Sequence, residues 1–178
     1  MQRSEELREE FKKQLASIKP DKLFFIDEVG AENNMVPLRG WSASGKRSYA
    51  EQLAFSTNRR NIVAAYRKTT KDLIAPFEFT GFTNLALFTE WFRQMLCPAL
   101  VPGDYVILDN ASFHKSDEIT EIARQYKLNL LYLPPYSPDL NPIEKFWANL
   151  KRNLRKAVKK FTNFADAITH AFVTTLSG

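Results

Sequence analysis

Apolar residues at Leu7, Phe11, Leu15 and Ile18 fall at i, i+4, i+8 and i+11, which predicts a helix over 4–18. Ser4 is placed to cap it and Pro20 to stop it. Its single stripe predicts packing against a main body. Leu23–Ile26 is a short unbroken apolar run that ends abruptly at Asp27-Glu28. Such a run marks a strand buried on both faces. Residues 30–48 read as a polar, Gly-containing loop. Segments near 49–56, 61–67 and 72–80 lean to β and extend the first strand by antiparallel pairing. Residues 83–96 read as a helix with Leu87, Phe88, Trp91, Phe92 and Met95 on one broad face, closed by Pro98 and Pro102-Gly103.

Tyr105–Leu108 is a second buried apolar run, and it too ends at an acid, Asp109. A helix follows over 116–126, then a strand over 128–133. Residues 134–142 form a rigid loop holding four of the nine prolines. A helix starts at Pro142, and a last one covers 163–176. Strands first, then alternating helices and strands, imply an α/β fold: a mixed sheet with helices on its faces. The expected organisation is an N-terminal helix (1–20), a catalytic body (21–160) and a C-terminal helix (161–178) packed on it.

Composition narrows the function classes. A chain of 178 residues with 44% apolar and 13% aromatic content can bury a core. Its one cysteine, Cys97, excludes an internal disulfide framework and a cysteine-based zinc cluster. No apolar run approaches the ~20 residues that cross a bilayer, so no membrane partner is expected. The N-terminus is charged and unlike a signal peptide. A soluble, intracellular protein is the expectation. The net charge is +5, but residues 151–160 alone hold six basic residues and no acid. The remainder carries 19 basic against 20 acidic residues. The positive excess is therefore one segment, which suits a polyanion partner.

Three acids stand out by position. Asp27 and Asp109 close buried strands, and Glu144 lies in the first turn of the helix after a third strand. Ligand groups in open α/β sheets gather at strand ends. Carboxylates converging there repel unless cations neutralise them, and hard oxygen donors suit Mg²⁺ or Mn²⁺. Two such ions ~3.5–4 Å apart serve phosphodiester chemistry. Each acid also has a structural role open to it. Asp27 can cap the following loop, with Glu28 as the functional acid instead. Asp109-Asn110 can be a turn. Asn141, Pro142 and Glu144 match a capping box, worth ~1 kcal/mol.

Three blocks resemble the catalytic motifs of mariner-like DDE transposases, with the bacterial insertion-sequence branch as the best match. They are residues 25–28 (Phe-Ile-Asp-Glu), 108–115 (Leu-Asp-Asn-Ala-Ser-Phe-His-Lys) and 133–144 (Leu-Pro-Pro-Tyr-Ser-Pro-Asp-Leu-Asn-Pro-Ile-Glu). Thirty-four residues separate Asp109 from Glu144, a spacing typical of that branch. The resemblance runs over about 20–160 and implies a ribonuclease-H-like fold with a five-stranded mixed sheet. It places Asp27 on the central strand, Asp109 after the fourth and Glu144 on the helix after the fifth. By resemblance all three are catalytic metal ligands for two Mg²⁺ (or Mn²⁺) ions. The implied chemistry is hydrolytic cleavage at transposon ends, then attack of the freed 3′-hydroxyl on target DNA. Glu28, Asn110, His114 and Asn141 are expected to orient those ligands or contact phosphate.

Full-length relatives carry N-terminal helix-turn-helix modules, whereas ~20 residues precede the first strand here. This predicts either the second of two reading frames, with a helix-turn-helix product as partner, or a truncated copy. The other partners implied are double-stranded DNA and a second copy, as a homodimer or higher oligomer in a bacterial, nucleoid-associated setting. Lys151, Arg155 and Lys159, and Arg152, Lys156 and Lys160, repeat at i+4 as two adjacent rows, expected to meet DNA phosphates. Arg39, Lys46 and Arg47 in the 39–47 loop are further DNA candidates, or parts of a solvated hairpin. Tyr136 either stacks on a distorted DNA end or packs its own loop. The competing functional class is an inactive DNA-binding remnant or regulator.

Overall fold

The computed structural model describes residues 4–33, 44 and 59–177. Five strands form one sheet in the order β3-β2-β1-β4-β5. β1 (Leu23–Glu32), β2 (Arg59–Arg67) and β3 (Asp72–Phe79) pair antiparallel in succession. β4 (Tyr105–Leu108) lies parallel to β1 on its other edge, and β5 (Asn129–Tyr132) lies parallel to β4. The mixed sheet expected from the sequence is thus present. The predicted strand over 49–56 and the residues Arg39, Lys46 and Arg47 fall outside the described residues.

One boundary differs from the sequence reading in a way that matters. Asp27 does not end its strand; it is the fifth of ten residues in β1. The polar Asp27-Glu28 step mimics a strand end because the pairing changes there. Parallel pairing with β4 stops at Phe25↔Ile107, while antiparallel pairing with β2 runs on to Glu32↔Arg59. The predicted loop start at residue 30 therefore still belongs to the strand.

Side chains alternate faces along β1, so the sheet builds two cores. Phe24 and Ile26 face a cluster with Phe88, Trp91, Phe92, Val106, Leu108, Ile119 and Ile122. These come from α2 (Leu85–Trp91), its π-turn extension Phe92–Leu96, and α3 (Asp117–Gln125). Val29 and Ala31 face the other side, against α4 (Ile143–Ala157) and α5 (Phe164–Leu176). α1 (Glu5–Ala16) shares that side, laying Phe11 on Phe25, Ile107 and Leu133. The result is three layers, helices on sheet on helices.

The helix starts follow the sequence. Ser4, Asn84, Ser116 and Asn163 each accept a backbone N–H in the first turn of their helix through a side-chain oxygen. Phe88 organises the α2 side. It is fully buried and packs its ring against Trp91, Phe92, Phe113 and the His114 imidazole. Phe88→Ala should cost ~3–5 kcal/mol by urea unfolding, as buried Phe truncations do. A loss under ~1 kcal/mol would mean that these rings are not the core they form here.

Candidate active site

Asp27, Asp109 and Glu144 line one cleft of ≈ 280 Å³, together with Asn110, Tyr136, Asn141 and the turns of the Pro-rich loop. The cleft opens where β4 ends and β1 continues, so it sits at the carboxyl ends of the parallel strands. Each acid arrives by a different route. Asp27 projects from β1 towards the α4 side. Asp109 follows β4 directly, and Glu144 stands exposed in the first turn of α4.

Their environments differ. Burial is the main force that raises the Asp27 carboxyl to about 7. A hydrogen bond from the Glu28 N–H opposes it, while the charges of Glu144, Asp109 and Glu28 add to the rise. Asp109 is held below the usual carboxylate range, first by His114 and against burial. Its Oδ1 accepts from His114 Nδ1 at 2.6 Å and from the Ala111 N–H at 2.9 Å. A carboxylate only accepts, so Nδ1 carries the hydrogen. His114 itself is buried between Phe88 and Phe113, both with ring centroids 4.3 Å from its own. Its second nitrogen, Nε2, has no hydrogen-bond partner among the described residues.

Glu28 does not line the cleft. As the neighbour of Asp27 on a strand, it points to the opposite face. There Thr83 Oγ1 donates to its carboxylate, and burial raises its pKa. Its Oε1 is buried without a partner among the described residues. Asn110 Nδ2 donates to the Leu133 carbonyl, which ties the ends of β4 and β5 together. Asn141 is buried and bridges two elements: Nδ2 donates to the Ile26 carbonyl at 3.2 Å, and Oδ1 accepts from the Ile143 N–H at 3.3 Å. The full capping box is absent, because the Asn141 N–H that Glu144 would accept already donates to the Pro138 carbonyl. The Glu144 carboxylate therefore faces the cleft without that duty. Tyr136 is 63% exposed, so it does not pack into its own loop.

On α4, Ile143, Phe146, Trp147, Leu150, Leu154 and Ala157 form the buried face. Lys151 and Arg155 are half-buried; Arg152 and Lys156 are exposed. The regular helix stops at Ala157, so Lys159 and Lys160 lie in the following turn rather than on an extended row. Even so, Arg152, Arg155, Lys156, Lys159 and Lys160 border one surface depression. Three contacts escaped the sequence reading: Thr83 on Glu28, Phe88 on His114, and the pair Arg8–Asp139. A Thr or Phe on an amphipathic stretch has no distinguishing local pattern.

Among the described residues, no three His, Cys, Asp or Glu side chains stand close enough together to hold a metal ion as they are. The chemistry of the donors nevertheless fits a hard divalent cation. All three are carboxylates, the Asp109 Oδ2 accepts no hydrogen bond among the described residues, and Asp27 rises to about 7 partly through the charges of the other two. No helix among the described residues is long and apolar enough to cross a membrane.

Residues 22–166 match the model of the DDE superfamily endonuclease family. The chain is 48% identical over 58 residues to the Tc3 transposase of Caenorhabditis elegans, covering 33% of this chain and 18% of that protein. It is 45% identical over 47 residues to the Tcb1 transposase of Caenorhabditis briggsae, covering 26% and 17%. The matched stretches are thus a minor part of those proteins. In fold, the Mos1 transposase paired-end complex with the left transposon end superposes with a TM-score of 0.63 at 14% identity, over 95% of this chain and 56% of that one. The catalytic core domain of BIV integrase gives 0.55 at 14%, over 86% and 82%.

A carboxyl raised on folding binds its proton more tightly in the folded state. Its contribution is complete below 3.8 and is lost as pH climbs through about 7. In EDTA, Asp27→Asn should therefore stabilise the fold at pH ~8 by up to ~4 kcal/mol, with the gain vanishing towards pH ~4. Urea midpoints across that range test this. A gain independent of pH would mean that burial does not govern Asp27.

Proposed function

Because the chain belongs to the DDE superfamily of endonucleases, we propose that it is the catalytic domain of a transposase. It would cleave DNA at transposon ends and join the freed 3′-hydroxyl to target DNA. The observation that carries this reading is the meeting of Asp27, Asp109 and Glu144 on one cleft, from three separate parts of the chain.

In this reading the three acids hold divalent cations, two Mg²⁺ or Mn²⁺ ions. When bound, these cations activate a water or hydroxyl and stabilise the leaving oxygen. A Mos1 paired-end complex with Mn, of similar fold at 13% identity, supports that choice of ion. The protein's own residues set the stage. Asp27 in its buried position gains most from a neutralising charge, since burial opposes its ionised form. His114 and Ala111 fix the Asp109 carboxylate through Oδ1, so that Oδ2 is the oxygen turned to a ligand. Asn110 and Asn141 hold the strand ends and the loop on which those acids ride. Tyr136 is available to stack on an unpaired base at the cleft mouth.

The DNA track is the basic surface of α4 and the turn beyond it, from Lys151 to Lys160. Lys and Arg there would meet phosphates and carry no sequence information. Sequence recognition of transposon ends would come from a separate helix-turn-helix part, and the active assembly would be a dimer or higher oligomer. The Mos1 strand transfer complex and a pre-cleavage Mos1 transpososome share this fold and support an assembly on DNA.

Asp109→Asn should abolish Mn²⁺-dependent nicking of an end-bearing duplex while leaving the urea midpoint within ~1 kcal/mol of the parent. Nicking at the parental rate would sink the mechanism. A joining assay on pre-cut 3′-hydroxyl ends separates a transposase from a nuclease without strand transfer. On the basic surface, six phosphate contacts set a log–log salt slope of about −5 for duplex binding. Arg152→Gln with Lys156→Gln should flatten that slope by about 2. An unchanged slope places the DNA elsewhere.

A further inference from the structure

α1 contributes more than an apolar stripe. Arg8 is buried on it, with a side chain only 4% exposed, and its guanidinium reaches across the molecule to Asp139. Nη1 donates to Oδ1 at 3.0 Å and Nη2 to Oδ2 at 2.6 Å, a bidentate pair between residues 131 positions apart. Such forks fix orientation as well as adding energy. Asp139 is half-exposed, so replacing Arg8 leaves no charge buried behind it.

Asp139 lies in the 3₁₀ turn Pro138–Leu140, inside the Pro-rich loop that walls the acid cleft. Short bonds run from this turn in both directions. The Leu140 N–H donates to Ser137 and the Asn141 N–H to Pro138. The Asn141 side chain then holds the Ile26 carbonyl, next to Asp27, while its own carbonyl accepts from the Glu144 N–H at 3.3 Å. Leu140 packs on the cluster that contains Phe11 of α1. One uninterrupted line of contacts therefore runs from Arg8 to the backbone beside Asp27 and to Glu144.

We propose that Arg8 is a positioning residue for the acid cleft. Through Asp139 it sets the Pro-rich loop, and with it the placement of Glu144 relative to Asp27. This rests on the reading that Asp27, Asp109 and Glu144 together hold divalent cations in the cleft. It also assigns Asp139, the acid nearest Glu144 in the chain, to holding the loop rather than to the metal, since both its oxygens are engaged by Arg8. α1 thereby becomes part of the catalytic apparatus.

Arg8→Met tests the idea on the full 178-residue chain, because Met keeps the buried stem and loses the fork. Two readouts are needed: amide hydrogen exchange by NMR in EDTA, and Mn²⁺ titration by calorimetry. In Arg8→Met, exchange at Leu140, Asn141 and Glu144 should quicken by roughly tenfold or more, and Mn²⁺ affinity should fall by a similar factor. Amides of β4 should stay protected and non-specific duplex binding unchanged. Arg8→Lys, with one contact in place of two, should recover part of both losses. Unchanged exchange at Leu140, Asn141 and Glu144 overturns the proposal. If Arg8→Met loses β4 protection as well, Asp139→Asn, a change at a half-exposed carboxylate, carries the same expectation and the same refutation. The exchange readout needs no metal. A parent chain that binds no Mn²⁺ would therefore count against the proposed function, while unchanged exchange would count against Arg8.

Discussion

A carboxylate on the middle strand of a sheet loses most of its hydration, and Asp27 does so within reach of the charges of Asp109 and Glu144. Nothing in the apolar cores offsets that repulsion. Hydrogen bonds and packing must hold the three acids near one another against it. His114 grips Asp109 from behind, and Phe88 and Phe113 grip His114. Asn141 pins the loop to β1, and Arg8 pins the loop to α1. The fold's polar interior is thus organised around keeping like charges together. A hard cation is the species that would relieve the strain.

The division of labour between the two faces of β1 follows from the same constraint. Asp27 and Glu28 are adjacent, yet alternation sends them to opposite sides of the sheet. Glu28 meets Thr83 and lies on the His114 side, whereas Asp27 meets the cleft. Two neighbouring acids on one strand therefore do not compete for one ligand. The question of which of them belongs to the cleft is settled by the pleat rather than by their chemistry.

Much of this architecture is legible in the chain. Period-3.6 stripes, unbroken apolar runs and β-leaning segments mark the helices and four of the strands to within a few residues. Ser4 announces the first helix, and the Asp-Asn and Pro-rich blocks announce the cleft. What escapes is non-local. By local pattern β1 ends at Asp27, where the chain turns polar, but the strand continues on pairing with β2 that no local pattern encodes. Arg8 sits one residue from Leu7 on a helix full of charges, so nothing nearby distinguishes it from its solvated neighbours. Its partner is 131 positions away. Leu7, on the predicted apolar stripe, is 47% exposed, while Arg8 is buried. Ion pairing across the fold has overruled the stripe.

Tyr136 carries a backbone cost that its own burial does not offset. Its backbone is left-handed, at φ 54°, although it bears a large side chain. That conformation costs a non-glycine residue roughly 1–2 kcal/mol. Glycine would relax the loop, and the exposed ring returns little burial to offset the difference. A laboratory selection for thermal endurance alone would accordingly drift towards glycine at 136. Heat-driven engineering of this domain would thereby remove a side chain that lines the cleft.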